Sequence, residues 1–163
     1  MKYKIIDNFL PKENFNIIKN LLFSSNFNWF YKPDVNTLNV DSPNMIFYFV
    51  HVFYKKISNS EAFNIIDKNL LSFIDIKALI RVKANLYPNQ HIKKENEFHT
   101  DYDFSHKGAI FYLNTNNGRT ILNNDTKIDS IENRILFFDP SIPHDSENCT
   151  DQKVRVNINI NYF

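Results

Sequence analysis

The sequence predicts a mainly β fold of the α+β class, in which two helices pack on one side of a β-sandwich or jelly roll. Helical patterns are confined to residues 1–77, strand-like segments fill residues 78–163 without interruption, and short turns separate these strands. At 163 residues the chain is expected to form a single domain, with residues 1–77 as a helical support region that includes strands and residues 78–163 as the jelly-roll core.

The first half combines strands and helices. The stretch KYKIID is typical of a short strand, and PKENFNIIKNLLFS predicts a helix because Phe15, Ile18 and Leu22 recur at helical spacing. A second helix is predicted near SEAFNIIDKNLLSFI, with Ser60 as its N-cap. Between them, NMIFYFVHVFY is rich in aromatic and β-branched residues and predicts a strand.

The second half predicts a series of antiparallel strands. They are ALIRVKANLYP, GAIFYLN, GRTILN, NRILFFD and VRVNININ. The residues NTNN are expected to form a turn between the second and third, and the last strand alternates strictly between apolar and polar residues. Because such folds bind ligands in the mouth between their sheets, the functional residues are expected there.

The composition argues against several classes of function. With two glycines, the chain lacks the Gly-rich loops that cradle phosphates, whereas sixteen Phe and eight Tyr predict an aromatic core. A formal net charge of +1 gives no strong nucleic-acid signature. The single Cys149 allows no internal disulfide or thiolate zinc cluster and suits a reducing compartment. No segment is apolar enough for a secretory signal or a membrane span, so a cytoplasmic protein without a membrane partner is expected.

Two histidines and an aspartate form a candidate metal site. His99 and Asp101, in FHTD, are two positions apart, and on an extended strand they would point to one side and bind one cation together. His144, forty-three residues after Asp101, is the candidate third ligand. Two imidazoles and one carboxylate on one face of an octahedron leave three positions open, as in non-haem Fe(II) oxygenases, whereas zinc usually takes a tetrahedral set.

Arg155 is the candidate anchor for an anionic co-substrate. It lies on a predicted strand eleven residues after His144, in a chain with fifteen lysines and four arginines. Its planar guanidinium can bind a carboxylate through two parallel hydrogen bonds, which a lysine cannot do. Periodicity alone does not show which face of VRVNINI meets the cavity, so the alternative of a solvent-facing Arg155 stays open.

The ordered pattern of HxD, a distant His and then an Arg resembles the Fe(II)- and 2-oxoglutarate-dependent oxygenases, most of all their small prolyl-4-hydroxylase-like members, including those of phages and marine bacteria. Three longer segments share the resemblance: IIDNFLPKENFNIIKNLL, AIFYLNTNNGRTIL and ENRILFFDPSIPH. It implies a double-stranded β-helix, the cupin-like jelly roll, in a cytoplasmic hydroxylase of a bacterium or a phage-infected host. Fe(II), 2-oxoglutarate and O₂ would be its cofactors and co-substrates, with ascorbate a candidate supporting reductant.

The resemblance also assigns roles to individual residues. It implies that the three candidate ligands bind Fe(II) and that Arg155 binds the distal carboxylate of 2-oxoglutarate. Tyr112, in FYLN, matches a strand tyrosine whose hydroxyl often supports that carboxylate. Asn85 and Tyr87 resemble an Asn-x-Tyr pair that contacts 2-oxoglutarate in alkylation-repair dioxygenases of the AlkB type. Asn157 shares the strand face of Arg155 and would line the cofactor pocket with it.

The sequence departs from the family patterns in ways that leave the substrate open. Prolyl 4-hydroxylases commonly have Lys where Arg155 stands, and the AlkB type usually has a second Arg where this chain has Asn161. A peptidyl proline, another protein side chain and a small molecule are all candidate substrates. Four residues are candidates for substrate contact, each with a structural alternative as a core or solvated residue: Asp103, Phe104, His51 and Trp29.

Two other functions fit parts of the sequence. A redox-inactive, cupin-like metal protein, such as an isomerase, an epimerase or a ligand-binding module, would use the same fold but leaves Arg155 unexplained. A nucleotide demethylase of the AlkB type is the other alternative, and the near-neutral net charge argues against it.

Two further histidines, His106 and His91, are rival candidates for the metal ligands. Both are expected to be solvated.

Overall fold

The computed structural model describes residues 3–33, 47–93, 98–123 and 125–163. The helices are α1 (Lys12–Leu22), α2 (Phe63–Asn69) and a short 3₁₀ helix (Leu71–Phe73). The strands are β1 (Lys4–Ile6), β2 (Phe30–Lys32), β3 (Tyr48–Lys55), β4 (Ile57–Ser58), β5 (Leu79–Pro88), β6 (Lys107–Tyr112), β7 (Asn116–Leu122), β8 (Thr126–Ser130), β9 (Ile135–Phe138), β10 (His144–Ser146) and β11 (Val154–Tyr162). Within these ranges, no helix is long and apolar enough to cross a membrane.

Both predicted helices are present, with one correction at a helix start. In α1, the residues at helical spacing, Phe15, Ile18 and Leu22, are buried as expected. The second helix begins at Phe63, and its N-cap position is occupied by Ala62 without a side-chain cap. The prediction that Ser60 is the N-cap is therefore wrong: its hydroxyl accepts a hydrogen bond from the Ala62 N–H in the turn that precedes the helix.

The strands form two antiparallel sheets. The larger has the order β1-β9-β6-β11-β5-β3-β2, with β4 paired to β3, and the smaller has the order β10-β7-β8. The sequence patterns did not predict β2, β4, β8 and β10, and β7 begins inside the expected NTNN turn, at Asn116. The first three residues of the strand predicted from NMIFYFVHVFY, at 44–46, lie outside the described residues.

The helices pack on the outer face of the larger sheet. A core cluster joins Phe15 and Ile18 of α1 and Ile66 of α2 to apolar side chains of β3, β5, β6 and β11. A second cluster, with Tyr112 and Leu122 among its members, fills part of the space between the two sheets. The predicted mainly β, jelly-roll fold with helices on one sheet is thus confirmed.

The central strand β11 separates the core from the space between the sheets. It lies between β5 and β6, where Asn157 pairs with Asn85 on one side and with Tyr112 on the other. Its apolar residues join the helix-facing core, as Val156 does. Because side chains alternate along a strand, the residues in between point toward the smaller sheet. They are Arg155, Asn157, Asn159 and Asn161, all buried.

The backbone of β6 passes close to the turn after β9, which leads to a stability prediction. A Cβ atom on Gly108 would lie 2.7 Å from Cγ of Pro140, which is too close for an unshifted structure. We expect Gly108→Ala to lower the free energy of unfolding by about 1–3 kcal/mol through overpacking. For a chain of this size, each kcal/mol lowers Tm by about 2–4 °C, which thermal unfolding measures.

The neighbouring exposed residue Lys107 provides the control for this substitution. Its side chain points to the opposite side of β6, so Lys107→Ala should change the free energy of unfolding by no more than about 0.5 kcal/mol. An unchanged Tm in Gly108→Ala would contradict the close contact with Pro140.

Candidate active site

The three candidate metal ligands converge in the structure. His99 and His144 form an isolated antiparallel bridge, in which each backbone N–H donates to the carbonyl of the other, at 3.0 and 2.9 Å. The Asp101 N–H donates to the Pro140 carbonyl at 3.0 Å. One ligand atom from each of the three side chains lies within 4.8 Å of the others, which is a spacing that one metal ion can span. The segment FHTD is not the extended strand that we predicted, because a single bridge is its only strand pairing within the described residues.

The Asp101 carboxylate is held by three neighbouring side chains. Arg81 Nη2 donates to Oδ1 at 2.6 Å, and the amides of Asn161 and Asn159 donate to Oδ2 at 2.9 and 3.3 Å. Burial by itself raises the pKa of Asp101, but the positive charges of Arg81 and Lys83 outweigh it and hold that pKa well below its usual range. The group is therefore ionised near neutral pH, as a carboxylate ligand must be.

A hydrogen bond to a backbone carbonyl orients the His144 ring for metal binding. Its Nδ1 lies 3.0 Å from the Ile142 carbonyl, which can only accept a hydrogen bond, so Nδ1 carries the proton. This leaves the lone pair on Nε2. Burial lowers the pKa of His144, which favours the neutral imidazole that a metal requires.

Arg155 is fully buried and only partly satisfied. Its Nε donates to Ser130 Oγ at 3.0 Å, and its Nη2 donates to Thr120 Oγ1 at 3.1 Å. Its Nη1 is also buried and has no hydrogen-bond partner among the described residues. A guanidinium stays charged at any accessible pH, and a buried charge without a counter-charge is costly. Arg155 is therefore suited to bind an anion through Nη1.

One cavity joins the triad to Arg155. It lies between the two sheets and has a volume of about 220 Å³. Alternate residues of β5 form one side of it in the order Arg81, Lys83, Asn85 and Tyr87. Arg81 lies at the Asp101 end, whereas the Tyr87 ring lies 5.3 Å from the Arg155 guanidinium. The cavity thus has a metal-ligand end and a guanidinium end.

Comparison with known proteins identifies the fold. The sequence matches no protein-family model and no curated protein. A prolyl hydroxylase from Trichoplax adhaerens, in complex with a hypoxia inducible factor oxygen degradation domain peptide fragment, superposes with a TM-score of 0.68 at 19% identity, covering 99% of this chain and 83% of that chain. A 2OG-Fe(II) oxygenase family oxidoreductase from Burkholderia pseudomallei has a TM-score of 0.72 at 7% identity, covering 98% and 84%. The chain has the fold of the 2-oxoglutarate oxygenases.

A third solved structure agrees. A Pseudomonas putida prolyl-4-hydroxylase superposes with a TM-score of 0.59 at 13% identity, covering 98% of this chain and 91% of that chain. The predicted resemblance to prolyl-4-hydroxylase-like oxygenases is therefore confirmed for the fold, over almost the whole chain.

The cavity brings together most of the residues predicted for 2-oxoglutarate binding. Arg155, Tyr87, Asn85 and Asn157 all line it, and Asn85 Nδ2 donates to Asn157 Oδ1 at 2.9 Å. Tyr112 lies behind Arg155, with its ring 5.9 Å from the guanidinium. Its hydroxyl donates to Thr120 Oγ1 at 2.8 Å, so Tyr112 supports the residue that holds Arg155 and is not part of the cavity wall.

The four candidates for substrate contact lie elsewhere. Both ring nitrogens of His51 are engaged, with the Asn28 carbonyl and the Ser60 hydroxyl, each at 2.7 Å. Trp29 packs against the helix-facing core. Asp103 and Phe104 are exposed. None of the four belongs to the cavity wall as the described residues define it, and their substrate roles stay predictions.

His106 is buried, so its predicted solvation is wrong. Only 5% of its surface is exposed. Its Nδ1 donates to the Phe104 carbonyl at 2.8 Å, and its Nε2 accepts a hydrogen bond from Asn161 Nδ2 at 3.2 Å. The same Asn161 amide donates to Asp101, so His106 belongs to the network behind the triad.

Several residues of the site were not recognised in the sequence. They are Arg81, Lys83, Thr120, Ser130 and Asn161. For Arg81 a signal was available, because it is one of only four arginines and alternates with Asn85 and Tyr87 on a predicted strand. Thr120 and Ser130 had no such signal, since nothing in the sequence shows which strands of the smaller sheet lie over Arg155.

Proposed function

We propose that the protein is an Fe(II)- and 2-oxoglutarate-dependent dioxygenase that hydroxylates a protein side chain. The observation that carries this proposal is the buried Arg155, with its unpartnered Nη1, in the same cavity as two imidazoles and a carboxylate. A metal site alone would not need a buried guanidinium. A metal site and a guanidinium together suit an anionic co-substrate that is bound at both ends.

The residues present fit both groups. Two imidazoles and one carboxylate are the ligand set of non-haem Fe(II) oxygenases, and they leave positions for further ligands. Arg155 and the hydroxyl of Thr120 offer hydrogen bonds to the distal carboxylate of 2-oxoglutarate. When bound, Fe(II), 2-oxoglutarate and O₂ supply the oxidising chemistry.

The contribution of the protein is to orient and protect these groups. Arg81 and Asn161 fix the Asp101 carboxylate, and the Ile142 carbonyl fixes the His144 tautomer. The side chains of β5, β11 and the smaller sheet enclose the cavity and limit the access of water.

A peptidyl proline is the leading candidate for the substrate. Two structural neighbours are prolyl hydroxylases, and the one from Trichoplax adhaerens is in complex with a peptide fragment. At about 220 Å³ the cavity is smaller than the roughly 300–1,000 Å³ of typical small-molecule pockets. Once 2-oxoglutarate is bound, this volume would admit one end of a substrate, such as a side chain, and not a large molecule.

Binding of the co-substrate tests the proposal. In the presence of Mn(II), which replaces Fe(II) without redox chemistry, a hundredfold excess of 2-oxoglutarate over its Kd should stabilise the protein by about 2.7 kcal/mol. For a chain of this size that raises Tm by roughly 5–10 °C. Glutarate, which lacks the 2-oxo group, is the matched control and should give a much smaller shift because it cannot chelate the metal.

A different pattern of Tm shifts would favour another function. If Mn(II) raises Tm but 2-oxoglutarate adds nothing, the proposal fails, and a redox-inactive, cupin-like metal protein becomes the better explanation. Detection of succinate formed from 2-oxoglutarate with Fe(II) and O₂ would complete the test, because the rival function does not produce it.

A further inference from the structure

Lys83 is a cation in the candidate active site that has no assigned role. It lies on β5 between Arg81 and Asn85, and its side chain lines the cavity. Burial and the neighbouring Arg81 charge lower the pKa of its amine to about 8. In the described parts of the chain, no hydrogen bond or ion pair reaches this amine, whereas its neighbour Arg81 is paired with Asp101.

The position of Lys83 is at the metal end of the cavity. On β11 its register partner is Asn159, whose amide donates to Asp101 Oδ2. The Lys83 charge contributes to lowering the pKa of both Asp101 and His144, which shows that the amine lies within electrostatic reach of the triad. Lys83 is therefore separated along β5 from Tyr87 and Arg155, at the other end.

Among the residues that the structure describes, the charged side chains of the cavity are unbalanced by one. Three basic side chains line it, Arg81, Lys83 and Arg155, against two carboxylates, Asp101 and Asp145. Adding a divalent metal ion and the 2-oxoglutarate dianion leaves this difference unchanged. Since Arg81 is paired and Arg155 is the candidate anchor of the co-substrate, the uncompensated charge is that of Lys83.

We propose that Lys83 binds a carboxylate of the substrate and so selects a substrate whose reacting carbon lies close to that carboxylate. This inference rests on the proposed dioxygenase activity, and it replaces the peptidyl proline as the leading candidate by a substrate that carries a carboxylate. A single negative charge balances the cavity, whereas a phosphate dianion would overcompensate it and needs more room. The carboxylate is that of an acidic side chain in a peptide or that of a free amino acid.

Paired probes that differ by one charge test this inference. Binding to the protein loaded with Mn(II) and 2-oxoglutarate is measured by calorimetry for two pairs. The first pair is N-acetyl-aspartic acid α-amide with N-acetyl-asparagine α-amide, and the second is L-proline with L-prolinamide. We expect the acid of at least one pair to bind about tenfold or more tightly than its amide, as a charge-assisted hydrogen bond predicts. A preference in the first pair alone indicates an acidic side chain, and in the second alone a free amino acid.

The substitution Lys83→Met should remove this preference and bring the two affinities of a pair within about twofold, because the methionine keeps an apolar chain of similar size without the charge. Lys83→Arg should retain the preference. The control is Lys107→Met, since Lys107 lies outside the cavity on β6 and should leave the ratio unchanged.

The outcomes separate this inference from the proposed function. The absence of a charge preference in the unmodified protein, or its persistence in Lys83→Met, overturns the inference and leaves the proposed function standing. A tenfold or greater loss of 2-oxoglutarate affinity in Lys83→Met also overturns it, because Lys83 would then serve the co-substrate. Failure of the unmodified, Mn(II)-loaded protein to bind 2-oxoglutarate removes both proposals.

Discussion

Replacing Asp101 by alanine is expected to abolish metal binding. The substitution removes one of three ligands and leaves Arg81, whose charge then repels the incoming cation. Since loss of supporting groups alone typically costs 10–100-fold in metal affinity, loss of a ligand should cost more than about 100-fold. Calorimetric titration with Mn(II) measures this directly, and Fe(II)-dependent turnover of 2-oxoglutarate should be lost with it.

The same substitution should also destabilise the protein. The Asp101 and Arg81 side chains are 5% and 16% exposed, so removing the carboxylate leaves a largely buried guanidinium unpaired. Breaking a buried pair in this way costs about 3–5 kcal/mol, and somewhat less where water reaches the remaining charge. The double substitution Asp101→Ala with Arg81→Met should recover part of the stability without restoring metal binding.

The exposed carboxylate of Asp103, two residues after Asp101, provides a matched control. Asp103→Ala should leave the Mn(II) affinity unchanged, because Asp103 is not part of the triad. Mn(II) affinity at the wild-type level in Asp101→Ala would exclude Asp101 as a ligand, whatever its effect on stability.

Replacing Arg155 by lysine is expected to weaken 2-oxoglutarate binding by roughly 10–100-fold, the equivalent of one lost charge-assisted hydrogen bond. The positive charge stays, but the planar fork is lost, and an ammonium cannot contact Ser130, Thr120 and a carboxylate in the geometry that Arg155 adopts. The Kd of 2-oxoglutarate in the Mn(II)-loaded protein and the apparent KM both report this change.

Arg134 is the matched control for Arg155. It is paired with Asp7, away from the cavity, so Arg134→Lys should not alter 2-oxoglutarate affinity. The Mn(II) affinity should be the same in Arg155→Lys and in the unmodified protein, since Arg155 is not a metal ligand. An unchanged Kd for 2-oxoglutarate in Arg155→Lys would place the distal carboxylate elsewhere.

The sequence predicts elements well where a local pattern carries the information. The alternation in VRVNININ predicts β11 almost residue for residue, and the helical spacing of Phe15, Ile18 and Leu22 predicts the buried face of α1. The alternation did not show which face of β11 meets the cavity. That depends on which face α1 and α2 cover, and they cover the face of Val156.

Predictions are wrong where local pattern and tertiary contact diverge. On an extended FHTD strand, Phe98 would lie on the face opposite to His99 and Asp101, in the aromatic core. It is instead 37% exposed, because alternation between faces applies to a paired strand and this segment makes a single bridge within the described residues. Arg81 reaches Asp101 across twenty residues of sequence. Such a pair depends on how β5 and the FHTD segment meet, and the spacing of residues in the sequence does not contain that information.

Because β11 is hydrogen-bonded to a strand on each side, it fixes the distance between the side chains that point from it into the cavity. Arg155 and Asn159 lie four residues apart on this strand, roughly 13 Å along a pleat that rises about 3.3 Å per residue. One is the candidate anchor of the co-substrate, and the other touches the candidate metal ligand Asp101. Because β11 is hydrogen-bonded to both β5 and β6, this distance cannot change without breaking those hydrogen bonds. A 2-oxo diacid one methylene shorter or longer than 2-oxoglutarate would therefore not match the distance between the candidate metal site and Arg155.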